Sequence, residues 1–262
     1  MNLSSIGVYD SGFGGLSVWR ELRRLLPCES LIYLGDGKNC PYGGRSREEI
    51  TRFAEQAVER LLAEGVKMVV VGCNTATTAA IEYLRERWSG LPIVGLEPAV
   101  KPACLTTRTR KIAVLATEHS LRSDMFLRTA SRYAENVEVV KVVGRDFVEI
   151  VEASEEHTER ARRAVHHVVE PLTHEGVDKI VLGCTHYPFL RPLIEEVVAG
   201  HGIEVIDSGE AVARRVKWLL ERYDIATDES VTPEFKFLSF ADEDYRQRLE
   251  CKAKTIEAEL HR

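Results

Sequence analysis

The sequence predicts an α/β fold of two similar lobes, each a mainly parallel sheet flanked by helices, pseudo-symmetric with the active site between them. Two observations carry this expectation. Short β-branched runs alternate with longer amphipathic runs along most of the chain. A segment reading strand, then Gly-Cys-polar, then helix also occurs twice, at Val66 to Leu84 and at Val177 to Val197, about 110 residues apart. Such a spacing suits duplicated lobes and is far too long for a solenoid repeat.

The strands are expected at 6–9, 31–34, 68–71, 93–96, 112–115, 137–143, 180–182 and 203–206, each an apolar run followed by a loop or helical pattern. Ser46 and Glu49 form a capping box ahead of a helix over Ile50 to Glu64, which Gly65 closes. A second helical run, 154–175, is expected to be capped by Ser154 and Glu156, broken at Pro171 and ended by Gly176. Arg20, Arg23 and Arg24 lie at helical spacing and read as a solvated helix face. A weaker echo links Ile6 to Leu16 with Ile112 to Leu121. The chain is expected to cross over near Leu96 to Pro98 and return near Asp207 to Glu210, giving lobes of 1–97 plus 209–262 and of 98–208. From Thr227 onward the composition changes to a strand-like stretch at 235–240 and a charged helix-like end, to which no chemistry is assigned.

With 262 residues and 44% hydrophobic content the chain can bury a proper core. A net charge of −6 with scattered basic residues argues against nucleic acid or an anionic membrane as partner. No export or membrane-spanning segment is read at the N-terminus, so a cytoplasmic protein is expected. The six cysteines are widely spaced without a CxxC pair, which suggests free thiols and neither a disulfide framework nor a zinc site.

In open α/β sheets ligands bind beyond the carboxyl ends of the strands, where Cys73 and Cys184 both fall. A lone cysteine there is usually packing. Two in matching contexts, each with a helix start to favour a thiolate or an anionic ligand, point to one shared pocket. Asp10 ends the first strand and runs into Ser11-Gly12-Phe13-Gly14-Gly15, which fails the GxGxxG spacing because Ser17 takes the third position. His186, two residues after Cys184, is placed to act on that thiol. Asp36, Asn39, Pro41, Tyr42 and Gly43 read as a polar turn, and Glu152 alone reads as a carboxylate on a helix. Two thiols on opposite faces of one carbon suit racemisation, with one base removing a proton and one acid returning it. Redox exchange and metal ligation are the other uses of paired thiols, and neither accounts for Thr75 and Thr185 beside them.

The runs Val8-Tyr9-Asp10-Ser11-Gly12, Asn39-Cys40-Pro41-Tyr42-Gly43, Cys73-Asn74-Thr75-Ala76-Thr77 and Gly183-Cys184-Thr185-His186-Tyr187-Pro188 are recognisable together. Over about residues 6 to 215 the chain resembles the glutamate racemases of the aspartate/glutamate racemase family. The resemblance implies interconversion of L- and D-glutamate without cofactor or metal, supplying D-glutamate for peptidoglycan synthesis. It implies two-base catalysis by Cys73 and Cys184, with Asp10 supporting the first thiol and Glu152 and His186 the second. It also carries over Asp10, Ser11, Asp36, Pro41, Tyr42, Gly43, Asn74, Thr75, Thr117, Thr185 and His186 as substrate-binding positions. Its partner is then a small molecule, glutamate, with room for a homodimer. A racemase for another acidic amino acid such as aspartate, and a non-catalytic protein that regulates a partner such as a topoisomerase, are the alternatives. The chain departs from the family pattern at Gly37-Lys38, at Ser120 and at Gly144-Arg145-Asp146.

Overall fold

The computed structural model describes residues 4–228 and 230–260, and of residues 124 and 125 the backbone only. In chain order come β1 (Ile6–Asp10), α1 (Leu16–Leu25), β2 (Leu31–Gly35), α2 (Arg47–Leu62), β3 (Met68–Val71), α3 (Asn74–Arg87) and β4 (Ile93–Gly95). Next are α4 (Val100–Thr106), β5 (Lys111–Ala116), α5 (Glu118–Arg122), α6 (Asp124–Tyr133), β6 (Glu138–Val143) and α7 (Phe147–Glu152). Then follow α8 (Glu159–Val169), β7 (Lys179–Leu182), α9 (Arg191–Val197), β8 (Glu204–Ile206), α10 (Gly209–Arg222), β9 (Phe235–Ser239) and α11 (Glu243–Leu260). No helix among the described residues is long and apolar enough to cross a membrane.

The chain divides into two compact units, one of Met1–Leu96 with Gly209–Arg262 and the other of Glu97–Ser208. In the first, five parallel strands run in the order β4-β3-β1-β2-β9. In the second, four parallel strands run in the order β6-β5-β7-β8. With β9 set aside the two orders are the same, β1 to β4 matching β5 to β8. The repeat legible in the sequence is thus a repeat of topology, and Cys73 after β3 occupies the place of Cys184 after β7.

Strands β1, β2, β3, β5 and β7 are buried almost throughout, because helices cover both faces of each sheet. In β5, Ala113 and Leu115 pack with Phe147, Ile150, Val165 and Ile194. The alternate residues Ile112, Val114 and Ala116 pack with Val100, Ala103 and Phe126 in the opposite layer. The capping box is formed as its spacing predicts: Ser46 Oγ accepts from the Glu49 amide at 3.2 Å, and the Glu49 carboxylate accepts from the Ser46 amide at 3.0 Å.

Three expectations are corrected. The cap of α8 is Thr158, whose Oγ accepts from the Ala161 amide at 3.3 Å. Ser154 instead lies in a left-handed turn (φ 57°) just beyond α7; the break expected at Pro171 is present, since α8 gives way there to a 3-10 segment, Glu170–His174. Arg23 is not a solvated residue: its guanidinium is buried, lies 4.4 Å from the centre of the Phe235 ring and pairs with Glu257 at 2.9 Å. Cys184 does not open an α-helix. A 3-10 segment, Tyr187–Leu190, intervenes before α9, since Pro192 would fall inside a helix begun at Cys184, where it lacks an amide donor and its ring crowds the preceding turn, and is accommodated instead in the first turn of α9.

Candidate active site

In the first unit, β1 and β3 are hydrogen-bonded neighbours with Tyr9 opposite Val71, which brings the loop after β1 beside the residue after β3. Cys73 is the N-cap of α3, and its Sγ accepts from the Ala76 amide at 3.4 Å. The same sulfur lies 3.5 Å from Ser11 Oγ, to which the thiol can donate. Ser11 Oγ in turn lies 3.5 Å from Asp10 Oδ1, which also accepts from the Gly12 amide at 2.8 Å. Asp10, Ser11 and Cys73 are all buried and form one chain from thiol through hydroxyl to carboxylate. Gly15 is needed for this packing, because a Cβ there would meet the Asp10 Cβ at 2.5 Å and the Tyr33 hydroxyl at 2.7 Å. Asn74 and Thr75 fill the first turn of α3, both buried. Asn74 Nδ2 has no partner among the described residues, which leaves a buried donor beside the thiol.

The polar turn after β2 is more ordered than its composition suggests. Asp36 is fully buried and accepts from both the Tyr42 hydroxyl at 2.6 Å and the Asn39 amide at 2.9 and 3.0 Å. Tyr42 OH lies 2.6 Å from Tyr9 OH, so Asp36, Tyr42 and Tyr9 form a second chain. Burial raises the Tyr42 phenol pKa, with Tyr9 and Asp36 adding to it. Tyr9 is raised in the same way, first by burial and next by Cys73. The exposed Pro41 follows a cis peptide bond, and Gly43 lies in a 3-10 turn, Tyr42–Gly44, so both shape the turn.

In the second unit, Cys184 and His186 follow β7, and His186 lies within reach of Glu152 at the end of α7. Cys184 Sγ is 3.7 Å from His186 Nδ1, and His186 Nε2 is 2.6 Å from Glu152 Oε1. This arrangement is again a thiol tied through one bridging side chain to a carboxylate. With its Nε2 proton given to Glu152, the imidazole presents Nδ1 to the thiol as an acceptor, and as imidazolium it donates to the thiolate. Thr185 is buried between the two in sequence. Thr117, at the end of the neighbouring strand β5, caps α5 by accepting from the Ser120 amide at 3.3 Å, and its hydroxyl donates to Ser120 Oγ at 3.0 Å. The departure at Ser120 therefore keeps a hydroxyl in this cap.

Tyr9 and Tyr187 were not singled out by sequence reasoning, because a tyrosine in or beside an apolar strand reads as core. Tyr187 is buried below Cys184, and its hydroxyl donates to the Gly144 carbonyl at 3.2 Å. Burial, and next the Cys184 thiol, raises its pKa.

A family model described as Asp/Glu/Hydantoin racemase matches residues 11–216. The chain belongs to this racemase family. It is 47% identical over 237 residues to a glutamate racemase of Herpetosiphon aurantiacus, covering 90% of this chain and 92% of that protein. Among solved structures of family members, a glutamate racemase isoform of Bacillus anthracis superposes with a TM-score of 0.84 at 32% identity, covering 96% and 94% of the two chains. The Escherichia coli glutamate racemase, in complex with L-glutamate and the activator UDP-MurNAc-Ala, superposes with a TM-score of 0.85 at 30% identity, covering 97% and 95%. As a member of the family the protein is an isomerase of the amino-acid racemase class.

Proposed function

We propose that this racemase interconverts L- and D-glutamate by two-base proton transfer, with Cys73 and Cys184 serving opposite faces of the substrate α-carbon. The observation that carries the reading is the shared design of the two strand ends: Cys73 reaches Asp10 through Ser11, and Cys184 reaches Glu152 through His186. A racemase needs each thiol both as thiolate, to remove a proton, and as thiol, to return one. A neighbour that can either accept or donate supports both states.

An amino-acid α-proton is weakly acidic and a free thiol has a pKa of roughly 8.5, so the barrier must fall through preorganised electrostatics. Asn74, with its unpartnered Nδ2, and the amide donors at the start of α3 are suited to the substrate carboxylate, on which negative charge grows as the carbanion develops. Ser11, Thr75 and Thr185 add hydroxyls, while Tyr42, held by Asp36, sets the turn that carries Gly43. Glutamate is favoured over aspartate by the whole-length identity to glutamate racemases. The D-glutamate formed would serve peptidoglycan synthesis, the role that the resemblance implies.

The test is optical rotation of pure L- or D-glutamate, and separately of aspartate, incubated with the purified protein without added cofactor. Loss of rotation with glutamate from either side supports the reading. Loss with aspartate alone reassigns the substrate, and no change with either amino acid favours a non-catalytic role.

A further inference from the structure

Glu152 closes α7, a helix of only six residues, and so short a helix has little stability of its own. Its aim at His186 has to come from its surroundings. At the entry, Asp146 turns the chain into the helix from the left-handed region, at φ 63°, and its carbonyl accepts from the Ile150 amide at 2.9 Å. Along the helix, Ile150 and Val151 are buried in the core of the second unit. A further contact at the entry comes from Tyr187, which belongs to the turn that carries Cys184 and His186.

Within that turn the Tyr187 amide donates to the Cys184 carbonyl at 3.1 Å and the Phe189 amide to the His186 carbonyl at 3.1 Å, so thiol, imidazole and phenol ride on one short piece of backbone. The Tyr187 side chain reaches a segment 43 positions earlier in the sequence, where its hydroxyl donates to the Gly144 carbonyl at 3.2 Å. Its ring meets Phe147, the first residue of α7, edge to face with centroids 5.1 Å apart. Tyr187 and Phe147 are both fully buried. The fit is close, since a Cβ at Gly144 would lie 2.6 Å from the end of the Tyr187 side chain and 2.9 Å from Phe147. α7 is therefore tied to the turn at both ends, by Tyr187 at its start and by the 2.6 Å contact between Glu152 and His186 at its end.

We propose that Tyr187 is a positioning residue: it holds the entry of α7 against the turn of Cys184 and His186, and so sets the reach of Glu152 to the imidazole that serves the thiol. Tyr187 then acts on the reaction through Glu152. Its loss costs what the contact between Glu152 and His186 supplies, and little once that contact has gone. A role in packing alone would cost the same whether or not the Glu152 carboxylate is present. The inference rests on the racemase reading for its effect on turnover, whereas the setting of the imidazole can be measured without substrate.

The experiment is a double-mutant cycle on glutamate racemisation between Glu152→Gln and Tyr187→Leu, which keeps an apolar side chain but removes the ring edge and the hydroxyl. Tyr187→Leu alone should lower kcat by about tenfold with KM within about twofold of wild type, and in the Glu152→Gln background it should cost no more than about a further twofold. Tyr187→Phe, which keeps the ring on Phe147 and covers the case of a Tyr187→Leu chain that does not fold, should lower kcat by about threefold with the same dependence on Glu152. In protein carrying nitrogen-labelled histidine, without substrate, the His186 Nε2 resonance is assigned by its loss in His186→Gln. It should move in both Tyr187 variants in the direction in which it moves in Glu152→Gln. Unchanged kcat in the folded variants overturns the proposal, as does an equal loss in the two backgrounds or a His186 resonance that stays in place. Those failures leave the racemase assignment standing. If the wild-type protein does not racemise glutamate, that assignment fails and the resonance alone decides the role of Tyr187.

Discussion

At the scale of single residues, the site separates groups that do chemistry from groups that hold them. Asp10 belongs to the second kind by geometry, because it meets Cys73 through Ser11. Asp10→Asn keeps an oxygen to accept from the Gly12 amide, so the loop should remain and only the charge is lost. We expect kcat to fall by about tenfold to a hundredfold with little change in melting temperature. Paired rate and thermal-denaturation measurements check this, and a stability loss matching the activity loss would make Asp10 a structural carboxylate. The two thiols were legible because their contexts repeat and their neighbours are polar. Glu152 was legible only through resemblance: as the last residue of a helix it has no local signature, and its value lies in a 2.6 Å contact with a residue 34 positions away. Tyr9 was hidden for a related reason, since strand burial and a structured phenol look alike in sequence.

At the scale of elements, hydrophobic patterning and turn chemistry predicted the strands well, because in a doubly covered parallel sheet the inner strands are buried on both faces and read as apolar runs. It was less successful where two signals compete. Ser154 and Thr158 both precede acidic residues, and the choice between them depends on α7 ending in a left-handed turn at Ser154, a tertiary matter. Gly37 shows the same dependence. Tyr245 of α11 occupies the space a side chain at Gly37 would need: a Cβ there would lie 2.2 Å from the Tyr245 ring, which is itself stacked on Phe13 at 4.9 Å. Gly37→Ala should therefore destabilise the protein by about 1 to 3 kcal/mol in urea denaturation. The double variant with Tyr245→Ala should show less than the sum of the two losses, and simple additivity would contradict this account of the glycine.

At the scale of the whole molecule, the repeated strand order is the frame, and the C-terminal segment is what distinguishes the first unit from the second. β9 extends the first sheet beside β2, α11 brings Glu257 to Arg23, and Thr227 joins the buried pair of Lys67 and Glu29, whose charged atoms are 2.7 Å apart. The segment had no chemistry legible in its sequence, and its contacts within the unit are those of a brace. The proposed function has both thiols act on one carbon, and its most direct measurement is hydrogen exchange in deuterium oxide by the single-thiol variants. With Cys184→Ala, Cys73 should still remove and return the proton of one enantiomer, which by resemblance is D-glutamate, so deuterium should enter it slowly while inversion nearly vanishes. Cys73→Ala should show the mirror preference for L-glutamate. Residual rates will be small, since groups that act as a unit are not additive. Mass spectrometry of each enantiomer reads the outcome: exchange without inversion, of opposite preference in the two variants, is the predicted result, and inversion at near wild-type rate by either variant would contradict the two-base account.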